Sequence, residues 1–321
     1  MKEIEAKKPP YTNKHHMRAK LIFNPGSGTT DESPVQLMDV IGEMQAWKLV
    51  PEAYLVEPDS DLSTEVQNAV EDGIRMFVVC GGDGTIDVVA RAMAGTNTTL
   101  GIIPTGTQNN VALSLGIPPA DIPAAIAILR NGKRIKVDMG QADFGKAKQS
   151  FLEVCSVGLA SSLFSSADDI QHGDLTRVGD FLATLVSSAP AEMHLTLDGK
   201  REITTRCHAI LVSNTPYIGP HFQVGTPDSM DDGLLDVLLF ANLSKMDLIS
   251  YAVQAAIPGG GPEDERIQHY HVHRIDIVTH PAMPVMVDGL VLGEGPLRIS
   301  MQRHVLAVMV GKAPTNGHTQ R

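Results

Sequence analysis

Three short segments combine glycine with hydroxyl, amide and carboxylate side chains in an order that suits phosphate chemistry. They are Asn24-Pro25-Gly26-Ser27-Gly28, Cys80-Gly81-Gly82-Asp83-Gly84-Thr85 and Pro104-Thr105-Gly106-Thr107-Gln108-Asn109-Asn110. Glycine lets the backbone approach an anion closely and adopt positive φ. A helix beginning just after such a loop offers free N–H groups and a partial positive charge. Asp83 would repel a phosphate on its own, so it makes sense there if it holds a cation or positions a hydroxyl. The plain alternative for that segment is a tight turn with an Asp cap.

The elements that must carry these loops can be read from periodicity. Continuous apolar runs at 19–23, 53–56, 75–80, 100–103 and 134–137 read as strands, the third as apolar as a buried parallel strand should be. Between them lie helical patterns. One opens at Ser33-Pro34 and carries Met38, Ile41, Met44 and Trp47; a second carries Leu62, Val66, Ala69 and Val70 and ends at Gly73; three more cover 85–94, 110–115 and 120–130. Strands alternating with helices imply βαβ crossovers and a parallel sheet covered on both faces. All three glycine loops then lie at carboxyl ends of strands, where open α/β sheets bind ligands. Three such loops on one edge favour a polyphosphate site.

The second half changes character. Strand-like runs at 151–157, 194–197, 203–213, 234–240, 272–278 and 285–287 follow one another, with an Asp198-Gly199 hairpin turn and two helical runs at 178–188 and 245–256. This predicts an α/β chain: a parallel α/β half over 18–139, and an antiparallel β-rich sandwich over 140–312 whose last segment packs back on the first half. Residues 1–17 and 313–321 read as tails, the first carrying Lys2, Lys7, Lys8, Lys14, His15 and His16, and 257–266 as a mobile loop.

Composition narrows the function. The net charge is 26 − 37 = −11, which argues against a general nucleic-acid binder. Three cysteines without a CxxC pair exclude a disulfide scaffold and a zinc ribbon. No apolar run spans a membrane and no signal-like h-region opens the chain, so the expected setting is the cytoplasm. The P-loop, the dinucleotide fingerprint and the G-x-S-x-G elbow are all missing, which sets aside P-loop kinases, dehydrogenases and a hydrolase built on Ser27.

The order NPGSG, GGDGT, PTGTQNN, DDGLLDV and VDG resembles the diacylglycerol-kinase catalytic-domain family, which includes soluble bacterial lipid kinases and sphingosine and ceramide kinases. The resemblance runs from about Lys20 to Val310, and GGDGT alone is shared with NAD kinases. It implies an ATP-binding α/β domain and a β-rich lipid-binding domain with catalysis between them. On matching positions, Asn24, Ser27, Gly28, Gly82, Gly84, Thr85, Gly106, Thr107 and Asn109 would contact ATP. Asp83 would lie near the phosphates and Mg²⁺, and Asp288 would be the general base. Asp138 matches an aspartate of a water-linked magnesium network, and Asp232, with carbonyls at Ser229 and Leu234, a structural metal site. The implied partners are a lipid substrate and a peripheral contact at the inner membrane face; a homodimer stays open.

Two positions depart from the family pattern. Asp288-Gly289-Leu290 stands where Asp-Gly-Glu is usual, and Asn110 where Asp is common. Leu290 leaves three readings open: a weakened kinase, a shifted substrate, or a nucleotide-binding regulatory protein. An NAD-kinase-like nucleotide kinase is the further alternative. The acidic segment 168–174 is unusual for a lipid-facing loop, and some of the fourteen methionines could line an acyl pocket. His269, His271 and His273 would share one strand face, either as an exposed face or as a metal site.

Overall fold

The computed structural model describes residues 16–28, 37–119, 121–145, 147–159, 190–218, 222–226, 229–248, 250 and 266–311. The expected N-terminal tail up to residue 15, the Ser33-Pro34 helix start, the acidic segment 168–174, the helix at 178–188, the loop at 257–265 and the C-terminal tail from 312 fall outside those residues.

Four parallel strands build the first half. β1 (Met17–Phe23) lies between β2 (Leu49–Leu55) and β3 (Met76–Gly81), and β4 (Thr99–Pro104) extends the sheet beyond β3. β1 opens at Met17, inside the expected tail, because Met17 pairs with Leu49. Every residue of β3 and β4 is buried, as strands covered on both faces must be. The helices are α1 (Leu37–Ala46), α2 (Leu62–Glu71), α3 (Asp83–Met93), α4 (Asn110–Ser114) and α5 (Ile122–Asn131). Asp61 and Asp121 cap α2 and α5 by accepting the Thr64 and Ala124 amides at 3.0 and 2.9 Å. The α5 cap moves its start past the predicted residue 120.

The second half is antiparallel. Its strands are β5 (Lys133–Asp143), β6 (Lys148–Phe151), β7 (Val154–Gly158), β8 (Ala191–Leu197), β9 (Arg201–Ser213), β10 (Tyr217–Ile218), β11 (Phe222–Gln223), β12 (Leu235–Ala241), β13 (Ile267–Val272), β14 (Arg274–His280), β15 (Pro284–Val287), β16 (Leu290–Glu294) and β17 (Leu297–Val310). One path of strands, β16-β15-β7-β9-β8-β14-β17-β4-β3-β1-β2, runs through both halves. β17 makes the join. It pairs antiparallel with β5 along most of its length, and its Val308 stands parallel to Leu100 of β4. Leu152 and Met230 of the second half pack into the same core as Phe77, Ile86 and Leu100 of the first.

Several boundaries differ from the sequence reading. The run predicted at 151–157 is two strands, broken at Leu152 and Glu153, whose amides bond a distant carboxylate instead of the ladder. The run at 272–278 breaks at His273, where the chain turns from β13 to β14. β5 crosses 138–143 without interruption. β16 and β17 lack a clean apolar pattern over their whole length, so periodicity alone assigns neither as a strand.

Candidate active site

The three glycine loops meet at the carboxyl ends of β1, β3 and β4. The Asn24 amide N–H donates to the Cys80 carbonyl at 2.9 Å, and the Thr105 amide to the Gly81 carbonyl at 3.1 Å, so each loop is tied to its neighbour. Asn24 Nδ2 donates to Thr85 Oγ1 at 2.9 Å, and its Oδ1 accepts the Gly26 amide at 3.0 Å. Ser27 Oγ lies 2.7 Å from Thr105 Oγ1. Asn109, at φ 54°, closes the third loop by accepting the Gly106 amide and donating to the Gly106 carbonyl.

The glycines are required for different reasons. A Cβ on Gly106 would sit 2.5 Å from the Gly82 Cα, so these two are glycine because one loop backbone rests on the other. Gly28, at φ 105°, is glycine for its conformation. Gly84 has neither need: it is exposed, its φ is not positive, and a Cβ there would meet nothing within 4 Å. Packing does not account for Gly84, whereas a ligand approaching the start of α3 would. Thr107 is exposed at the same edge.

Beside these loops sits a cluster of four carboxyls. Asp83 and Asp87 are one turn apart on α3, with Arg91 a turn further, and Arg91 pairs with Asp87 Oδ2. Asp83 accepts the Asn110 and Val111 amides at 3.0 and 3.2 Å, so it caps α4 from across the site. Asp288 and Gly289 form the two-residue turn between β15 and β16, with φ 41° and 80°, as a hairpin of that length requires. The turn aims the Asp288 carboxylate at the break between β6 and β7. There it accepts the Leu152, Glu153 and Val154 amides at 2.8, 3.2 and 2.7 Å. Glu153, from that same break, is buried.

Burial raises the proton affinities of Asp87, Glu153 and Asp288, and neighbouring carboxylates add to it for the first two. Burial and the neighbouring Asp288 push Asp87 up to about 9. Burial, then Asp83 and Asp288, lift Glu153 well above the carboxylate range, while a hydrogen bond from Asn110 pulls the other way. An Asp at 110 would have added another negative charge against Glu153, so the amide departure is chemically sensible here. Asp288 is also raised by burial, opposed by Asp87 and the three amides. Asp87 Oδ1 is buried without a hydrogen-bond partner. An all-oxygen donor set with an orphaned carboxylate oxygen fits Mg²⁺. Asp87 and Glu153 carried no sequence motif; the i, i+4 spacing from Asp83 was the available signal for Asp87, and Glu153 had none.

The residues matched to metals lie elsewhere. Asp138, fully buried on β5, accepts the Gly233 amide at 2.8 Å and the His304 amide at 2.5 Å. Ser229, Asp232 and Leu234 share the turn before β12, where Asp232 Oδ1 accepts the Leu234 amide at 2.8 Å. Burial raises Asp232, opposed by that amide, and Asp236 and Asp138 raise it further. Buried Asn214 links the Asp138 strand to the site: its Nδ2 donates to the carbonyls of Asp138 and Leu152, at 3.0 and 2.9 Å. No helix among the described residues is long and apolar enough to cross a membrane.

Residues 18–142 match the family model for the diacylglycerol kinase catalytic domain, and residues 154–310 that for the YegS C-terminal NAD kinase beta sandwich-like domain. A diacylglycerol kinase of Bacillus subtilis is 26% identical over 298 residues, which cover 91% of this chain and 96% of that protein. The crystal structure of a putative diacylglycerol kinase from Bacillus anthracis superposes with a TM-score of 0.72 at 22% identity, covering 94% of this chain and 99% of the other. An NAD kinase from Archaeoglobus fulgidus, solved with ATP, shares the fold at a TM-score of 0.52 and 14% identity, covering 92% and 94%.

Proposed function

Since the chain belongs to the diacylglycerol kinase catalytic-domain family, we propose that it is an ATP- and Mg²⁺-dependent kinase acting on a hydroxyl of diacylglycerol or a sphingoid-like lipid. The observation that carries this reading is the position of Asp288. A hairpin turn and three backbone amides fix its carboxylate among Asp83, Asp87 and Glu153, beside the glycine loops.

Each part has a task. The glycine loops and the start of α3 receive the phosphates, with Gly84 leaving room for close approach. The lipid hydroxyl oxygen attacks the γ-phosphorus of ATP, the bond from that phosphorus to the bridging oxygen breaks, and ADP leaves. Asp288 accepts the hydroxyl proton. Asp83, Asp87 and Glu153 would hold the magnesium ion, which supplies charge neutralisation on the phosphates when bound. Catalysis is then positioning and electrostatics. Exposed Leu290 and Val291, on the strand leaving the Asp288 turn, are placed to meet the acyl region of a lipid and so to bring its head to the carboxylate. A peripheral membrane contact follows from the same pair.

The test is transfer of labelled γ-phosphate from ATP, with Mg²⁺, to diacylglycerol, monoacylglycerol, sphingosine, ceramide and NAD in mixed micelles. Label in one lipid, lost in Asp288→Ala and Asp83→Ala, supports the proposal and names the substrate. Label in NAD alone overturns the lipid assignment. Nucleotide binding without transfer to any acceptor overturns the kinase assignment.

A further inference from the structure

Outside that site, two of the three alternating histidines meet a buried carboxylate. β13 pairs antiparallel with β12 and with no other strand among the described residues; His271 stands directly opposite Asp236, and His269 opposite Leu238. Alternation puts both rings on the Asp236 side of the sheet. His273 lies past the end of β13, with Nδ1 2.9 Å from the Gly233 carbonyl. Asp236 is 2% exposed, and its Oδ2 accepts the Ser229 hydroxyl at 2.7 Å. The carboxylate has no freedom to turn, since even a Cβ on Gly225 would come within 2.3 Å of Oδ2.

The other oxygen is the anomaly. Asp236 Oδ1 is buried and accepts no hydrogen bond. Yet His271 Nδ1 is 2.8 Å away and His269 Nε2 3.3 Å away. Three donor atoms thus converge, all within 4.8 Å of one another, without the alignment that would make them hydrogen bonds. A buried carboxylate oxygen without a partner is costly. Around a tetrahedral zinc, ligand atoms at 2.0–2.2 Å from the metal stand about 3.3 Å from each other, and here the carboxylate oxygen is 2.8 and 3.3 Å from the two nitrogens. Both imidazoles are half exposed, which leaves a side open to solvent.

We propose that Asp236, His269 and His271 form a site for a borderline divalent transition ion, with Zn²⁺ the natural occupant, completed by water on the exposed side. The Ser229 hydroxyl holds the carboxylate in position, the outer-sphere role that orients metal ligands. The site is chemically distinct from the oxygen-only turn at Ser229, Asp232 and Leu234, because two of its three ligands are nitrogen and select against Mg²⁺ and Ca²⁺. Bound metal would clamp the edge strand β13 to β12 and stabilise the fold by mass action.

The experiment uses the full-length chain, stripped with chelator and titrated calorimetrically with Zn²⁺ in millimolar Mg²⁺. Co²⁺ absorption serves as a second probe. One ion should bind per chain, raise Tm, and resist displacement by Mg²⁺. His269→Gln and His271→Gln should each weaken binding by at least about 10–100-fold, the loss typical even of an outer-sphere partner, and His273→Gln should leave it unchanged. Asp236→Asn could also weaken the apo fold, so the two half-exposed histidines decide the matter. Zn²⁺ affinity indifferent to His269 and His271, or lost instead with His15, His16 and His318, overturns the proposal. So does full displacement by Mg²⁺, or no binding at all. None of these readouts depends on the kinase reaction.

Discussion

Asp138 and Asp87 are both buried aspartates, and they are used in opposite ways. Asp138 sits on β5 with one backbone amide on each oxygen, from Gly233 and His304. Asp87 has Arg91 on one oxygen, and beyond it faces Asp288, another carboxyl that can bond it only by sharing a proton and that raises its proton affinity. The first is a satisfied carboxylate that fastens three chain segments together. The second is an unsatisfied one in a crowd of acids. A buried carboxylate signals function when something is left over for it to do. On that criterion Asp87 is the candidate metal ligand of the two, whereas the Asp138 carboxylate is spent on holding the Gly233 and His304 segments against β5.

The largest effect should come from the residue that unites the cluster with that seat. Asp288→Ala is expected to lower phosphoryl transfer by about 10²–10⁴, the range for a positioned general base, with little change in KM for ATP. Initial rates with labelled ATP check this. A loss under tenfold would remove Asp288 from the chemistry and leave it a structural acceptor for three amides.

Asp138→Ala should act on stability. It strands the buried Gly233 amide, at about 1–3 kcal/mol, whereas the exposed His304 can turn to water, so unfolding free energy should fall by about 1–3 kcal/mol. Urea unfolding measures it. The contrast with Asp87 breaks if Asp138→Ala unfolds like wild type while the Mg²⁺ concentration needed for activity rises.

A pH series sharpens the same contrast. Asp87 binds its proton more tightly folded than unfolded, so the folded state carries the extra proton between the ordinary carboxylate range, about 4, and about 9. Stability from this group is therefore full below that window and is lost as pH rises through it. Magnesium-free protein should show Tm falling toward pH 9. Asp87→Asn should flatten the slope and raise Tm at alkaline pH by a few degrees, the size of about 1–2 kcal/mol in a chain this long. An unchanged slope would mean that Asp87 is not where the extra proton resides.

The sequence exposed the parts of this site that obey local rules. The strand-loop-helix units around Asn24, Asp83 and Gly106 follow from periodicity and glycine placement, and the fold class follows from them. The sequence leads one to expect the last segment to pack back on the first half, but it does not reveal the strand β17: pairing shifts register between Gln302 and Leu306, with His304 at φ 55°, so the period-two pattern breaks in mid-strand. Glu153 was hidden for another reason. Apolar neighbours made 151–157 read as one strand, and only the three-dimensional placement of Asp288, 135 residues away in sequence, pulls the amides out of the ladder. His269 and His271 were visible as a pattern, but their partner Asp236 is supplied by strand register, which the sequence does not print.

The smallest expected effect concerns the departure at Leu290. Leu290 and Val291 are 47% and 67% exposed, on the strand that leaves the Asp288 turn. Two accounts of Leu290 give opposite signs. If its place once held a catalytic carboxylate, Leu290→Glu should raise transfer to every acceptor. If the pair is a lipid contact, Leu290→Glu and Val291→Glu should each weaken vesicle binding by about tenfold, which corresponds to losing part of the 1.5–3 kcal/mol of a buried aliphatic side chain. Transfer to a water-soluble short-chain acceptor should then be unchanged, because nothing touching the phosphates has moved. Val291 is the discriminating position, since no catalytic account includes it. A loss on vesicles shared by both variants, with the soluble reaction intact, assigns the hairpin to the membrane. A gain confined to Leu290→Glu assigns it to the cluster, and would make a fifth carboxyl the missing member of the acidic group around Asp87.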